Sequence, residues 1–131
     1  MIGLDTNVLL RLWLNDDEAQ GRRIEALVAE HGQAIASLLV TDVVLAEALW
    51  TLASAYEQDK KAQLLAVRSL LDEPAFCFED REAVAAAVAL FEQATCGFAN
   101  CLIVAKHQQL GCEFTATFDR RIGKLSGVRG A

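Results

Sequence analysis

Proline is almost missing from this chain: Pro74 is the single one among 131 residues. No stretch rich in proline, glycine or serine divides the sequence, and there is no internal repeat or low-complexity tract. One domain over residues 1–131 is therefore expected, in keeping with the roughly 100–200 residues typical of a domain. Histidine is scarce, with only His31 and His107, and the four cysteines, Cys77, Cys96, Cys101 and Cys112, contain no C-x₂-C pair. That spacing argues against a zinc knuckle built on Cys96, Cys101, His107 and Cys112, and against a dense disulfide framework. A chain that is 53% hydrophobic can bury a core without either, so reduced, buried thiols and a cytoplasmic location are expected. No uncharged run approaches the roughly 20 residues of a membrane-spanning helix. The start, Met1-Ile2-Gly3-Leu4-Asp5, lacks the basic segment of a secretory signal. No glycine-rich phosphate loop of the Walker type is present.

Positive charge is also in short supply. Twelve Lys and Arg stand against 18 Asp and Glu, for a net charge of −6, which disfavours a small, general nucleic-acid coat protein. The balance is uneven: residues 1–100 hold 7 basic and 16 acidic side chains, whereas residues 101–131 hold 5 basic and 2 acidic. Arg120, Arg121, Lys124 and Arg129 are either a solvated tail or a local basic patch beside an acidic pocket. Local potential can attract a polyanion whatever the net charge.

Short apolar runs alternate with segments of helical period. Met1–Leu4 is a short apolar start. Ile24, Leu27 and Val28 share one helical face within 17–30. Ala34–Val40 has strand length, and Thr41 or Asp42 can cap a helix running to about Ala55. Asp59–Asp72 is helical and stops before Pro74. Ala75–Phe78 is strand-like, and Asp80 can cap a helix carrying Val84, Val88 and Phe91. After Gly97 a helix is expected to open at Asn100 and to end at Gly111. Glu113–Thr117 is strand-like. The alternation predicts an α/β domain with a parallel sheet flanked by helices.

In such sheets ligands bind beyond the carboxyl ends of the strands, which singles out certain acids. Asp5 follows the first strand and Asp119 the last clear one, so both are expected at one edge. Glu47 lies early in the helix after the second strand, among Leu45, Ala46, Ala48, Leu49 and Trp50. A carboxylate in so apolar a stretch is either the charge on an exposed stripe or one that needs a partner or a cation.

Four segments in order resemble the motifs of PIN-domain nucleases. They are Leu4-Asp5-Thr6-Asn7-Val8-Leu9-Leu10-Arg11, Thr41-Asp42-Val43-Val44-Leu45-Ala46-Glu47, Gly97-Phe98-Ala99-Asn100-Cys101-Leu102-Ile103-Val104-Ala105 and Thr115-Ala116-Thr117-Phe118-Asp119-Arg120. Size and motif order are similar to the toxins of VapBC-type toxin–antitoxin pairs. The resemblance implies a PIN-like fold and an endoribonuclease whose Asp5, Glu47, position 100 and Asp119 hold Mg²⁺ or Mn²⁺. It further implies an RNA substrate, a homodimer and a cognate antitoxin that covers the site. The third motif departs from the family: Asn100 stands where aspartate is usual. An amide offers a carbonyl oxygen but no negative charge, and Asn is also a favoured helix cap.

In this reading Thr6, Asn7 and Thr117 are hydrogen-bonding supports around the ligands, or ordinary capping residues. Arg11 and Arg120 are candidates for contacting RNA phosphates, or members of a solvated face. Residues 43–55 are apolar on nearly every side, which suits a helix covered on more than its core face. Two alternatives remain. One is a PIN-like binding module whose catalysis is impaired by Asn100. The other is a phosphatase of the haloacid dehalogenase type, which needs a second Asp where this chain has Asn7.

Overall fold

The computed structural model describes residues 1–131, as two compact units, 1–79 and 80–131. In the first unit β1 (Ile2–Gly3) is followed by α1 (Thr6–Leu14), α2 (Glu18–His31), β2 (Leu38–Val40), α3 (Asp42–Ser54), α4 (Lys60–Asp72) and β3 (Phe76–Phe78). The strands form a parallel sheet in the order β1-β2-β3, with Ile2 opposite Leu38 and Leu38 opposite Phe76. Each crossover is a pair of helices, as parallel neighbours require. The core of this unit contains Leu9, Leu10, Leu38, Val40, Leu45, Leu49, Leu52, Val67 and Leu70, all buried.

Local chemistry explains most boundaries. Asp17 and Asp59 cap α2 and α4, each accepting an N–H from the first turn, at 3.0 and 2.9 Å. Such acceptors satisfy donors that the helix itself leaves unpaired. Thr41 occupies the N-cap position of α3, but its side chain makes no capping bond. α1 buries Thr6, Leu9 and Leu10 on one face and packs against α2 and α3. α2 has no fully buried residue. Ile24, Leu27 and Val28 are only half-buried, and Ile24 and Val28 line a cavity of about 660 Å³ together with Leu12, Leu38 and Phe76.

The second unit contains α5 (Arg81–Gln93), α6 (Phe98–Gln109), β4 (Thr115–Thr117), a single 3₁₀ turn at Ile122–Lys124, and β5 (Val128–Gly130). β4 and β5 pair in parallel, Thr115 opposite Val128 and Thr117 opposite Gly130. α5 and α6 pack closely, with the Phe91 and Phe98 rings edge to face at 5.8 Å between centroids. Asp80 caps α5 by accepting the Ala83 N–H at 2.9 Å and also pairs with Lys106 of α6 at 3.7 Å. α6 ends in a Schellman turn: Cys112 N–H donates to the His107 carbonyl and Gly111 N–H to that of Gln108. Gly111 sits there at φ +85°, a conformation open to glycine at little cost.

Four expectations need adjustment. The strands hydrogen-bond as two parallel sets, β1-β2-β3 and β4-β5. α1 and β5 are additional elements: α1 lies inside the first motif, and β5 within the basic C-terminal segment. α6 begins at Phe98 with Gly97 as its N-cap, so Asn100 is its third residue and not its cap. The thiols also divide: Cys96 and Cys101 are buried with their sulfurs 3.9 Å apart, Cys77 is half-buried, and Cys112 is exposed.

Candidate active site

Asp5 and Asp119 follow strands, Glu47 lies within the helix after one, and Asn100 lies in the first turn of another. Asp5 leaves the carboxyl end of β1 and is the N-cap of α1, its Oδ1 accepting the Thr6 N–H at 2.8 Å. The residue is exposed, so the carboxylate keeps acceptor capacity towards solvent. Glu47 projects from α3, the helix that follows β2 and packs against α1. It is exposed and shares a helical stripe with Val43 and Trp50, which are 75% and 68% exposed. Of the two readings of Glu47 in an apolar helix, the structure has the exposed stripe, with Leu45, Ala48, Leu49 and Leu52 turned inward.

In the second unit Asn100 lies in the first turn of α6, half-buried. Asp119 follows β4 by two residues, in a tightly bonded turn. Thr117 Oγ1 accepts the Asp119 N–H at 3.0 Å, and Asp119 Oδ1 accepts the Arg121 N–H at 2.8 Å. The Arg121 guanidinium approaches Asp119 Oδ2 at 3.6 Å. The Arg121 N–H, assisted by that guanidinium, holds the Asp119 carboxyl below the ordinary carboxylate range. α6 is tied to the strand pair by His107 Nδ1 and Thr115 Oγ1 at 2.9 Å.

The expected supports are placed as follows. Thr6 is buried and gives its N–H to Asp5, Asn7 is exposed on α1, and Thr117 holds the Asp119 turn. Arg11 is half-buried, paired with Asp16, and donates to the Tyr56 hydroxyl at 2.6 Å. Those contacts, the Tyr56 bond first, raise the guanidinium pKa above its usual value. Arg120 is exposed. Two contacts escaped the sequence reading. Arg121 braces Asp119, a role the Asp-Arg-Arg run at 119–121 could have suggested. Tyr56 lies 45 residues from Arg11, beyond any local pattern.

As a donor set for a cation, the three carboxylates and one amide carbonyl are all hard oxygen ligands, the kind Mg²⁺ and Mn²⁺ prefer. Neither unit gathers three or more Asp, Glu, His or Cys side chains around one point. The 660 Å³ cavity in the first unit is lined by neither Asp5 nor Glu47.

Comparison with known proteins identifies the class. The PIN domain family matches residues 2–128, nearly the whole chain and all four motifs. The chain belongs to the PIN domain family, an α/β fold with a parallel sheet and six helices. It is also similar to the VapC ribonuclease of Aquifex aeolicus (strain VF5), at 28% identity over 122 residues, covering 93% of this chain and 90% of that protein. Family membership sets aside the haloacid dehalogenase-type phosphatase. No helix is long and apolar enough to cross a membrane.

Proposed function

We propose that the protein is a metal-dependent endoribonuclease, the toxin of a type II toxin–antitoxin module. The observation that carries this reading is the similarity to a VapC ribonuclease across 93% of the chain. The position of Asp5, Glu47 and Asp119 after strands or on the helix that follows one adds support, as does the all-oxygen donor set. The whole of 1–131 acts as one nuclease domain in this reading, in the cytoplasm.

Asp5, Glu47, Asn100 and Asp119 would hold Mg²⁺ or Mn²⁺. A bound ion of this kind neutralises charge on a phosphodiester and makes water a nucleophile at neutral pH. The chain's own contributions are more definite. The Thr6 N–H fixes one oxygen of Asp5, and Thr117 with the Arg121 N–H fixes the Asp119 turn. Asp119 stays ionised into the acid range. Glu47, with neither a hydrogen bond nor an ion pair on its carboxylate, is suited to be a ligand or a base acting through water. Arg120 is the better placed of the two candidate phosphate contacts, since Arg11 is engaged by Asp16 and Tyr56. Attack by water leaves 5′-phosphate and 3′-hydroxyl ends. Detection of 2′,3′-cyclic phosphate would point to the ribose hydroxyl instead.

An antitoxin covering the site and a second copy of the chain are the proposed protein partners. Exposed Val43 and Trp50 support both, because a partner seated on that stripe of α3 also covers Glu47. A second functional reading is favoured by one observation, Asn100: with an amide in place of the fourth carboxylate, the protein is an RNA-binding module of little activity. RNA cleavage by the purified protein with Mg²⁺, Mn²⁺ or EDTA decides between them. Metal-dependent internal cleavage supports the nuclease, and RNA binding without cleavage supports the module.

A further inference from the structure

Phe118 is 91% exposed, so its ring contributes almost nothing to the core. It stands between β4 and Asp119, on a backbone held from both sides. Thr117 Oγ1 accepts the Asp119 N–H, and the Thr117 carbonyl accepts that of Ala131 at 2.8 Å. Asp119 in turn accepts from Arg121 and, through its carbonyl, from Gly123. A planar side chain with two torsions is thus presented on a fixed base.

From 119 to 129 the charged residues are one acid, Asp119, and four bases. Arg121 is occupied with Asp119, and Arg129 lies over the Phe114 ring at 4.7 Å. Arg120 and Lys124 are exposed and make no ion pair. Two cations without an ion pair thus lie within six residues of an exposed ring in the sequence. Cations that track phosphates, joined to a ring on which a base can stack, are the two parts of a single-strand nucleic-acid contact.

We propose that Phe118 is a stacking platform for an unpaired base of the RNA, with Arg120 and Lys124 taking the flanking phosphates. The proposal rests on the nuclease reading and adds to it the side chain on which an unpaired base would rest. Stacking tolerates any base but favours the larger purine faces. A duplex, whose bases are already stacked on one another, gains nothing from the ring.

The test is binding of labelled oligo-A and oligo-U RNA, each about 10 nucleotides long, and of a duplex of equal length, in EDTA. Phe118→Ala is expected to weaken oligo-A binding about 10- to 100-fold and to leave duplex binding unchanged. Phe118→Trp should retain or improve it, while Phe118→Leu, apolar but without a π face, should resemble the alanine variant. Arg120→Gln with Lys124→Gln should flatten the dependence of log affinity on log salt by about 1.4, at roughly 0.7 per phosphate contact on a single strand. Because the ring is exposed, all these variants should fold, which their circular dichroism and melting temperatures check.

Oligo-A binding that is unchanged in Phe118→Ala overturns the proposal. Binding retained by Phe118→Leu also overturns it, because an apolar contact without a π face then suffices. Cleavage of RNA by the unaltered protein in Mg²⁺ is scored alongside. Cleavage with no effect of the Phe118 variants removes the platform and leaves the nuclease. Absence of both cleavage and single-strand binding removes both.

Discussion

Asn100→Asp tests the proposed site through stability as well as activity. Asn100 is the third residue of α6, and no acidic side chain occupies that helix's first turn. Its amide makes no hydrogen bond, so replacing it forfeits none. Taken alone, a carboxylate there meets the positive end of the helix dipole and should stabilise the fold by about 0.3–1 kcal/mol. If position 100 faces Asp5, Glu47 and Asp119, three like charges within about a Debye length oppose that gain. At an intermediate effective dielectric they cost on the order of 0.5–1 kcal/mol each. The net for the metal-free protein is then a loss of about 1 kcal/mol, a fall of a few degrees in melting temperature. Added Mg²⁺ should reverse the sign. The attraction between a unit and a divalent charge at contact range is roughly 8 kcal/mol gross at an effective dielectric near 20. Desolvation and the loss of the amide ligand offset most of it, leaving a few kcal/mol. Each decade of affinity adds about 1.4 kcal/mol to the Mg²⁺-dependent stabilisation at saturating metal. Melting in EDTA and across a Mg²⁺ series, together with cleavage at limiting metal, measures all three terms. Cleavage should rise by about two to three decades, and expression should harm the host more. A higher melting temperature in EDTA, with an unchanged Mg²⁺ increment and equal cleavage, would refute the reasoning and make position 100 an ordinary first-turn residue.

Other outcomes follow from the fold. Leu49→Ala empties a buried position in α3 and should cost about 2–5 kcal/mol in urea unfolding. A loss under 1 kcal/mol would mean that the site collapses freely. Gly111→Ala should cost about 1 kcal/mol by backbone strain alone, since nothing lies within 4 Å of the added carbon. Gly123→Ala, equally open but without a positive φ, should be neutral or slightly stabilising. Tyr56→Phe removes the hydroxyl that accepts from Arg11 and should lower stability by about 1 kcal/mol, whereas Arg120→Gln should leave unfolding unchanged. Asp119, whose folded pKa is depressed, contributes stability above the ordinary carboxylate pKa and loses it as pH falls through the lowered one. Its carbon-detected NMR titration should therefore fall below the ordinary range, and a normal midpoint would contradict the bonding of its turn.

The helices that the sequence marked clearly carry their own caps and stops: Asp17, Asp59 and Asp80 at starts, Gly111 at an end. The two elements it concealed were hidden for different reasons. α1 lies within a motif whose polar residues drew the reading towards chemistry, although Thr6, Leu9 and Leu10 have helical spacing. β5 is three residues, Val128–Gly130, and exists because Thr115–Thr117 lies alongside. At the site, the positions of Asp5, Glu47 and Asp119 relative to their strands were legible from order alone. The cap at α6 was misread because Asn is the better capping residue on propensity, while the backbone turns at Gly97. Arg11 looked available because its partner Tyr56 is remote in sequence.

Asp5 answers to two selections, and this distinguishes it from the other candidate ligands. Its Oδ1 begins α1, whose Leu9 and Leu10 are core, so folding alone demands an acceptor at position 5. The side chains at 47 and 100 bond to nothing else in the protein and carry no such demand. A library of variants scored for soluble expression should retain Asp, Asn, Ser and Thr at position 5 while tolerating most residues at 47 and 100. Scored for growth arrest, the same library should narrow to Asp at 5 and Glu at 47, and enrich Asp at 100. A descendant that had lost its chemistry would thus betray the loss first at 47 and 100, long before the beginning of α1 changed.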